Sequence, residues 1–214
     1  MAVSSSLAHD SGASSAYRPT APESQNRETF DAGPEFQGDQ QMPNGLFDLQ
    51  DKVAIVTGAG ANGGLGHTLA IGLAGQGADV AVLDLDEQGA QTSAQQIRAL
   101  GRKSLSVRCD VSKPDEVECF FLQVDRAFGK IDILINNAYS FPSRVHPDEL
   151  TLEAWGKTIA VSLTAYFLCA QQAIRRMLKH GTGGSIVNIG SIAGVSALGR
   201  GNLPYSVAKG VSTN

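Results

Sequence analysis

The most constraining feature of this 214-residue chain is a glycine-rich turn that follows a short apolar segment. Residues 52–66 have the sequence KVAIVTGAGANGGLG. The apolar residues 53–56 predict a buried β-strand, and the alanine- and leucine-rich sequence after the last glycine predicts a helix. This order of strand, turn and helix is typical of parallel α/β sheets. We therefore expect an α/β fold, with a doubly wound parallel sheet in three layers, α/β/α.

The glycine turn predicts a site for a pyrophosphate group. Glycine tolerates positive φ and lets a phosphate come close to main-chain N–H groups, and the first turn of the next helix adds unpaired donors. A glycine cluster alone is a weak signal, because tight turns also use glycine. The residues that we expect at the phosphate are Gly58, Gly60, Gly64, Leu65 and Gly66.

An acidic residue follows the second predicted strand, at 79–83. Asp84 lies 18 positions after Gly66, close to the ~20-residue offset at which an acidic side chain meets the adenosine ribose in dinucleotide-binding folds. A carboxylate there accepts hydrogen bonds from the ribose hydroxyls and repels a 2′-phosphate, so NAD is expected in preference to NADP. The alternative is that Asp84 and Asp86 cap the helix that begins near Glu87, and Asp86 suits that cap well.

Helices and strands are predicted to alternate along the rest of the chain. Helices are expected at 87–100, 114–128 and 155–177, and strands at 104–108, 131–135 and 185–189. Alternation of this kind implies right-handed crossovers between parallel strands, with ligands at the carboxyl ends of the strands. Asp110 and Asn136 are both predicted at that edge.

Residues 1–45 differ in composition from the domain that we assign to residues 46–214. They are rich in Ser, Ala, Gly, Gln, Pro and Asp and contain no lysine. With no sustained apolar period, this segment cannot bury enough surface to offset its ordering entropy, so we expect a disordered amino-terminal arm. The alternative is a segment that docks onto a partner.

Charge and composition argue against several classes of protein. The net charge of −4 and the pI near 5.5 disfavour a nucleic-acid or anionic-membrane partner, and no apolar run reaches the ~18 to 20 residues that cross a bilayer. The histidines form no motif of metal ligands, so no metal site is expected. Three widely spaced cysteines indicate reduced, buried thiols and a cytoplasmic protein; they are Cys109, Cys119 and Cys169.

Tyr205 and Lys209 predict acid–base chemistry. Four residues apart on a helix, their side chains share one face. An ammonium group beside a phenol favours the phenolate, so Tyr205 is predicted to give a proton to a carbonyl oxygen or take one from an alcohol. Ser191, after a predicted strand, would hydrogen-bond the same oxygen. The alternative, a surface pair on an ordinary helix, is disfavoured because Ser191 precedes Tyr205 by 14 residues.

Six motifs in order carry a family resemblance. They are Thr57-Gly58 with Gly64-Leu65-Gly66, Asp84, Cys109-Asp110-Val111, Asn136-Asn137-Ala138, Gly190-Ser191 and Tyr205-Ser206-Val207-Ala208-Lys209. From about residue 46 onward, the chain resembles a short-chain dehydrogenase/reductase, a Rossmann-type oxidoreductase that moves a hydride between NAD(P) and an alcohol or carbonyl group. The sequence at 46–53 is also similar to that of sugar-acid and polyol dehydrogenases in this family.

The resemblance implies further roles and partners. Cofactor contacts are expected from Asp110, Val111, Asn137 and Ala138 and from the pair Tyr205 and Lys209, with Lys209 holding the nicotinamide ribose. The substrate would be a small alcohol or carbonyl compound, such as a polyol, a sugar acid or a keto compound. A full-length form is expected to be a homo-dimer or tetramer.

Four departures from the family pattern leave a second reading open. Thr57-Gly58 stand two residues further upstream than usual, and Tyr139 replaces a glycine, so that it could crowd the cofactor or turn outward. Ser162 replaces an asparagine that holds a water in the proton relay; a serine can still bond water, so we keep Ser162 in the catalytic set. The sequence ends five residues after Lys209, where relatives add roughly two strands and a substrate lid. The alternative function is a truncated, non-catalytic NAD-binding or regulatory protein.

Overall fold

The computed structural model describes residues 47–60, 62–141, 145–181, 183–196 and 201–211, which form a parallel sheet with helices on both faces. The expected amino-terminal arm at 1–45 lies outside these ranges. The strands are β1 (Val53–Thr57), β2 (Asp79–Asp84), β3 (Ser104–Arg108), β4 (Ile133–Asn136) and β5 (Ser185–Asn188). The helices are α1 (Leu65–Gly75), α2 (Glu87–Ala99), α3 (Pro114–Phe128), α4 (Leu152–Ile159), α5 (Ala165–His180) and α6 (Leu203–Val211).

The sheet order confirms the doubly wound fold. The five strands are all parallel and lie in the order β3-β2-β1-β4-β5. The chain moves outward from β1 to β3, then returns to the other side of β1 for β4 and β5. The strand order therefore reverses between β1 and β4, and a crevice at their carboxyl ends is where such sheets bind ligands.

The hydrophobic cores on the two faces of the sheet are built from side chains of different size. Beneath α1 and α2 the buried helix residues are small, chiefly alanines, and they bring the helices close to the valines of β1 and β2. Beneath α3 and α5 the core is built from larger side chains, including Phe120, Phe121 and Met177. Each such large side chain contributes about 1.5–3 kcal/mol when fully buried. Both faces of β1, β2 and β4 are thus covered, as their near-continuous apolar sequences require, whereas β5 is largely exposed.

Several predicted bounds needed correction: β2 extends to Asp84 rather than Leu83, and α2 ends at Ala99 rather than Leu100. The strand predicted at 131–135 begins at Ile133, because the Asp132 carboxylate accepts the Val53 N–H at 2.9 Å, where a backbone carbonyl would otherwise pair. The strand predicted at 185–189 ends at Asn188. The long helix predicted at 155–177 is a continuous run from Leu152 to His180, but a π-helical turn over Ala160–Thr164 interrupts its α-helical hydrogen bonding.

The cysteines differ from one another in environment. Cys109 and Cys169 are buried, as predicted, and burial raises the pKa of each thiol to about 12. The prediction was wrong for Cys119, which is exposed on α3. The reason is helical geometry: Cys119 precedes the buried pair Phe120 and Phe121 on α3 and lies off the buried stripe. None of the helices in the described ranges is long and apolar enough to span a membrane.

Candidate active site

The amino-terminal end of α1 has the features of an anion-binding site. Gly64 is the N-cap residue, with extended backbone angles and no side chain that could cap the helix. The first turn, from Leu65 and Gly66 onward, contains no acidic residue. The backbone N–H groups of a first helical turn have no partner within the helix. They and the positive end of the helix dipole are therefore directed at whatever binds the glycine turn.

Two of the glycines are required by close packing. A Cβ atom on Gly66 would lie 2.2 Å from the carbonyl oxygen of Gly58, so any larger residue there would push the loop away from α1. Gly58 has φ of +68°, and its added Cβ would lie 2.7 Å from the Cα of Ala138. The conformation of the glycine turn thus requires direct contact between main-chain atoms, which a side chain at Gly58 or Gly66 would prevent.

Asp84 ends β2 directly beside the glycine turn. Its Oδ2 accepts the Gly60 N–H at 2.7 Å and its Oδ1 accepts the Asp86 N–H at 2.9 Å. Asp86 in turn caps α2 by accepting the Gly89 N–H at 3.1 Å, which confirms the cap predicted for it. A carboxylate has about four acceptor positions. Asp84 therefore retains capacity for ribose hydroxyls while its orientation is fixed by the backbone.

A cleft of about 320 Å³ opens at the carboxyl ends of β1 to β4. It brings together six of the predicted cofactor residues from four separate parts of the chain. These are Gly58, Asp84, Asp110, Val111, Asn137 and Ala138. Asn137 also ties the strands together at this edge, because its Nδ2 donates to the carbonyl oxygens of Thr57 and Gly58, both at 2.9 Å.

Asp110 is held in the charged form at the rim of this cleft. Partial burial by itself would raise the pKa of Asp110, but hydrogen bonds from the hydroxyl and backbone N–H of Ser112, at 2.7 and 3.0 Å, together with the positive charges of Lys113 and Arg108, outweigh it and lower the pKa. Its own N–H donates to Glu116 at 2.8 Å. The loop after β3 is therefore ordered by its own polar groups.

His67 and Ser93 support the glycine turn and were not singled out from the sequence. His67 Nδ1 lies 2.8 Å from Ser93 Oγ, which donates to the carbonyl oxygen of Ala59 at 2.5 Å. Both side chains are buried, so the turn, α1 and α2 are linked through one polar contact chain. The one available signal was the position of Ser93 on the alanine face of α2, since a buried polar residue needs a partner.

Tyr205 and Lys209 lie on α6 as the four-residue spacing predicts. Lys209 Nζ lies 5.8 Å from the centroid of the Tyr205 ring. Tyr205 is half-buried, whereas Lys209 is almost completely buried, at 1% exposure. The Lys209 ammonium donates to the carbonyl oxygen of Ile189 and to the hydroxyl of Tyr166, each at 2.6 Å. Burial lowers the pKa of Lys209 to about 8.

Ser191 lies at the turn between β5 and a 3-10 helical turn at Ile192–Gly194. Its hydroxyl accepts the Ala193 N–H at 3.2 Å, which leaves the hydroxyl proton available for another acceptor. The turn packs against α6, because a Cβ on Gly194 would lie 2.6 Å from the backbone carbon of Lys209. The end of β5 and the face of α6 that carries Lys209 are therefore adjacent.

Ser162 lies in the π-helical turn and is completely buried. Its hydroxyl accepts the Ser140 N–H at 3.0 Å and donates to the Ser140 carbonyl oxygen at 3.3 Å. These two bonds fix the loop that follows β4. The hydroxyl donor is thereby used, and one acceptor lone pair remains. The role of Ser162 in holding a water stays a prediction.

Tyr139 lines the cleft, but most of its side chain faces solvent. Its side chain is 61% exposed, and its ring centroid lies 6.0 Å from that of Tyr205 in an edge-on arrangement. Phe141 approaches Tyr205 more closely, at 5.0 Å between centroids. Two aromatic rings therefore flank the predicted acid–base residue at the solvent side.

The residues present fit a dinucleotide. The uncapped start of α1, the backbone approach at Gly58 and Gly66, and the Asp84 carboxylate supply what a pyrophosphate and a ribose need, and all lie at one edge of the sheet. Within the described ranges, no three His, Cys, Asp or Glu side chains are grouped closely enough to hold a metal ion.

Known proteins are similar to this chain over most of its length. The family model described as short chain dehydrogenase matches residues 52–213. A short chain dehydrogenase/reductase of Aspergillus oryzae, named astE, is 39% identical over 146 residues, which is 68% of this chain and 55% of that protein. D-threitol dehydrogenase of Mycolicibacterium smegmatis is 38% identical over 164 residues, 76% of this chain and 61% of that protein.

Solved structures show the same fold. A short-chain type dehydrogenase/reductase from Mycobacterium marinum has a TM-score of 0.73 at 34% identity, covering 77% of this chain and 64% of that one. A xylitol dehydrogenase solved with NAD+ bound has a TM-score of 0.71 at 30% identity, covering 76% and 61%. The chain spans 55% and 61% of the length of the two curated relatives above. By its matched residues, its sheet order and these relatives, this chain belongs to the short-chain dehydrogenase/reductase family, which binds NAD(P).

Proposed function

We propose that this chain is the cofactor-binding and catalytic part of an oxidoreductase that moves a hydride between NAD(H) and an alcohol or carbonyl substrate. The observation that carries the proposal is the buried Lys209 amine behind the half-buried Tyr205 ring, 5.8 Å from its centroid. A buried ammonium is costly, and a chain keeps one only where its charge is used or well bonded.

In this proposal each side chain has one task. Lys209, held by the Ile189 carbonyl, directs positive charge toward Tyr205 and favours the phenolate during alcohol oxidation. Tyr205 then takes the proton of the substrate hydroxyl, or returns it when a carbonyl is reduced. Ser191 donates its free hydroxyl proton to the same substrate oxygen. NAD(H), when bound, supplies the hydride acceptor or donor.

Asp84 supports NAD as the cofactor in preference to NADP. Its carboxylate is aligned by the Gly60 and Asp86 N–H groups, so its remaining lone pairs are fixed in direction. A fixed negative charge at the ribose repels a 2′-phosphate, whereas it accepts a hydrogen bond from a 2′-hydroxyl. We assign the adenosine ribose to Asp84 and the neighbouring adenine edge to Asp110 and Val111.

We propose a small polyhydroxylated or cyclic alcohol as substrate. Two relatives are named D-threitol dehydrogenase and L-rhamnose 1-dehydrogenase (NAD(P)(+)), and a structural neighbour is a xylitol dehydrogenase. Phe141 and Tyr139, beside Tyr205, supply flat apolar surfaces against which the carbon face of such a molecule could pack.

We also propose that the chain assembles as a homo-dimer or tetramer in the cytoplasm. On α5, Phe167, Ile174 and Leu178 are exposed by 62%, 45% and 75% and recur at helical spacing, so they form an apolar stripe that a second copy would cover. The cysteines of the described ranges are unpaired, which suits a reducing compartment. Light scattering on the purified chain gives the mass that decides the assembly.

Turnover and cofactor binding together test the proposed function. The first step is to follow NADH formation with a panel of polyols, sugar acids and cyclic alcohols, and NADH consumption with ketones. Tyr205→Phe should lower turnover by about 10²- to 10⁴-fold, the usual contribution of a general acid/base, while NAD affinity stays within a few-fold of the wild type.

The second candidate function, NAD binding without catalysis, predicts a different result. It is favoured by the commitment of Ser162 to the backbone of Ser140. NAD would then bind by calorimetry, but no substrate of the panel would be turned over, and Tyr205→Phe would change nothing. Tyr139→Phe, which keeps the outward ring, serves as the matched tyrosine variant for NAD affinity and for the fold.

A further inference from the structure

We propose that Tyr166 is a positioning residue for Lys209: its neutral hydroxyl anchors the ammonium so that the charge is presented to Tyr205. The inference rests on the proposed function, in which Lys209 acts on Tyr205. The contact is short, at 2.6 Å between Tyr166 Oη and Lys209 Nζ, and both side chains are buried.

The position of Tyr166 is fixed at both of its ends. Its backbone carbonyl accepts the Asn136 Nδ2 at 3.2 Å, which ties the first turn of α5 to the end of β4. Its hydroxyl lies 3.4 Å from the Ile189 carbonyl oxygen, to which it can donate, and it accepts from Lys209. Because the Ile189 carbonyl also accepts from Lys209 at 2.6 Å, three polar atoms form one compact group.

Two tyrosines lie near one lysine, and their environments assign them different tasks. Burial raises the pKa of Tyr166 well above its ordinary value, and the nearby Tyr205 adds to this effect. Tyr166 therefore remains a hydroxyl at every pH at which the enzyme would work. Because Tyr166 does not ionise to a phenolate, the ammonium charge acts instead on the less buried Tyr205.

Among the described residues, the buried Cys169 thiol is the titratable group, besides Lys209 and Tyr205, that acts on Tyr166. The π-helical turn and the 3-10 turn that pack against α6 carry no titratable side chain, and on α4 Glu153 and Lys157 are exposed. The titratable groups with described contacts to Lys209 are Tyr166 from α5 and Tyr205 from α6 itself. Removing the Tyr166 hydroxyl therefore changes the ammonium's solvation directly.

The test is the pKa of Lys209 in the cofactor-free chain, measured by NMR with lysine labelled at Cε. Tyr166→Phe removes one acceptor from the ammonium, so the Lys209 pKa should fall by about one unit from the wild-type value. The signal is identified by its loss in Lys209→Arg. The alkaline limb of the pH profile of kcat/KM should move to lower pH by the same amount, a change that a purely structural role would not produce.

Two further variants serve as controls for the Lys209 pKa measurement: one changes the packing alone, and the other weakens the Tyr166 hydroxyl without removing it. Cys169→Ala, on the same helix and buried one turn further on, alters packing without touching the hydroxyl and should leave the Lys209 pKa unchanged. Replacement of Tyr166 by 3-fluorotyrosine keeps the hydroxyl and weakens it as an acceptor, so a smaller fall is expected, even if Tyr166→Phe does not fold.

The outcomes separate this proposal from the proposed function. A lowered Lys209 pKa supports the positioning role even if no substrate is turned over, in which case only the oxidoreductase proposal fails. An unchanged or raised Lys209 pKa in both Tyr166 variants, or an equal fall in Cys169→Ala, overturns the positioning role even in an active enzyme.

Discussion

The two halves of the candidate site are built in different ways. The proposed cofactor cleft is made largely of backbone: glycines packed against carbonyl groups, and carboxylates whose oxygens are held by N–H groups. The proposed catalytic cluster is made of side chains, with the Lys209 ammonium buried between Tyr166 and Tyr205. We therefore expect the cleft to lose cofactor binding when a single Cβ is added to one of its glycines. We expect the side-chain cluster to lose its function when a single oxygen or charge is removed.

The largest effect is expected at the backbone-built half. Gly66→Ala would bring a methyl group 2.2 Å from the Gly58 carbonyl oxygen, and overpacking of this kind costs about 1–3 kcal/mol or more. We expect a lower midpoint of urea unfolding and at least a tenfold loss of NAD affinity. Gly72→Ala, on the same helix with no atom within 4 Å, should instead gain about 0.5–1 kcal/mol. Equal behaviour of the two variants would refute the packing argument.

A smaller effect is expected where a side chain serves the backbone-built half. Asp84→Asn keeps one acceptor oxygen but loses the charge and one of the two backbone contacts. A hydrogen bond to a charged group is worth about 1.5–3 kcal/mol, so NAD affinity should fall by at least about tenfold while the preference over NADP narrows. Asp86→Asn removes a charge two residues away and still caps α2, so titration calorimetry should find NAD affinity nearly unchanged. If Asp84→Asn still prefers NAD to NADP, then a residue other than Asp84 provides this selectivity.

A third effect, on folding stability rather than on cofactor affinity, concerns the charge in the side-chain-built half. The pKa of Lys209 is lowered from 10.5 to about 8, so between these values the unfolded chain keeps a proton that the folded chain has released. The folding stability contributed by this group therefore rises with pH across that window. Below pH 8 both states are protonated and no slope is expected from it. The stability of the wild type relative to Lys209→Met should thus improve from pH 8 to pH 10.5, as measured by urea unfolding.

The comparison with Lys209→Met removes an opposing effect of the cysteines. Burial raises the pKa of Cys109 and of Cys169 to about 12, so the unfolded chain releases these protons first and stability falls above the ordinary value near 9. Both thiols are present in the wild type and in the variant, and their effect cancels in the difference. A difference that stays flat across the window would mean that Lys209 titrates near its ordinary pKa.

Short-range patterns predicted most of the fold. The third strand and the helix at Pro114–Phe128 have the bounds that propensity and turn residues indicate, and Asp86 caps α2 as its position before Glu87 suggests. One error occurred where a side chain replaced a backbone group, as the Asp132 carboxylate does at the start of β4. Another occurred where the helical register changed, in the π-helical turn before α5. Neither event has a periodic signal in the sequence.

The candidate site was predictable to the extent that its residues follow strand ends. Asp84, Asp110 and Asn137 meet in one cleft because parallel strands end at one edge. Tyr166, His67 and Ser93 were missed, because a buried polar side chain on a helix looks like any other helical residue until its partner is known. Those partners come from positions 26 to 43 residues away in the sequence.

By itself, the sequence determined the parallel α/β architecture, the place of the glycine turn and the order of the family motifs, since these depend on local periodicity and on residue spacing. Only the tertiary structure decided which polar groups share one buried environment. The burial that lowers the pKa of Lys209, raises that of Tyr166 and brings their polar atoms within 2.6 Å arises from packing among α5, α6 and the end of β5. Desolvation depends on the surrounding atoms in three dimensions, and no spacing along the chain encodes it.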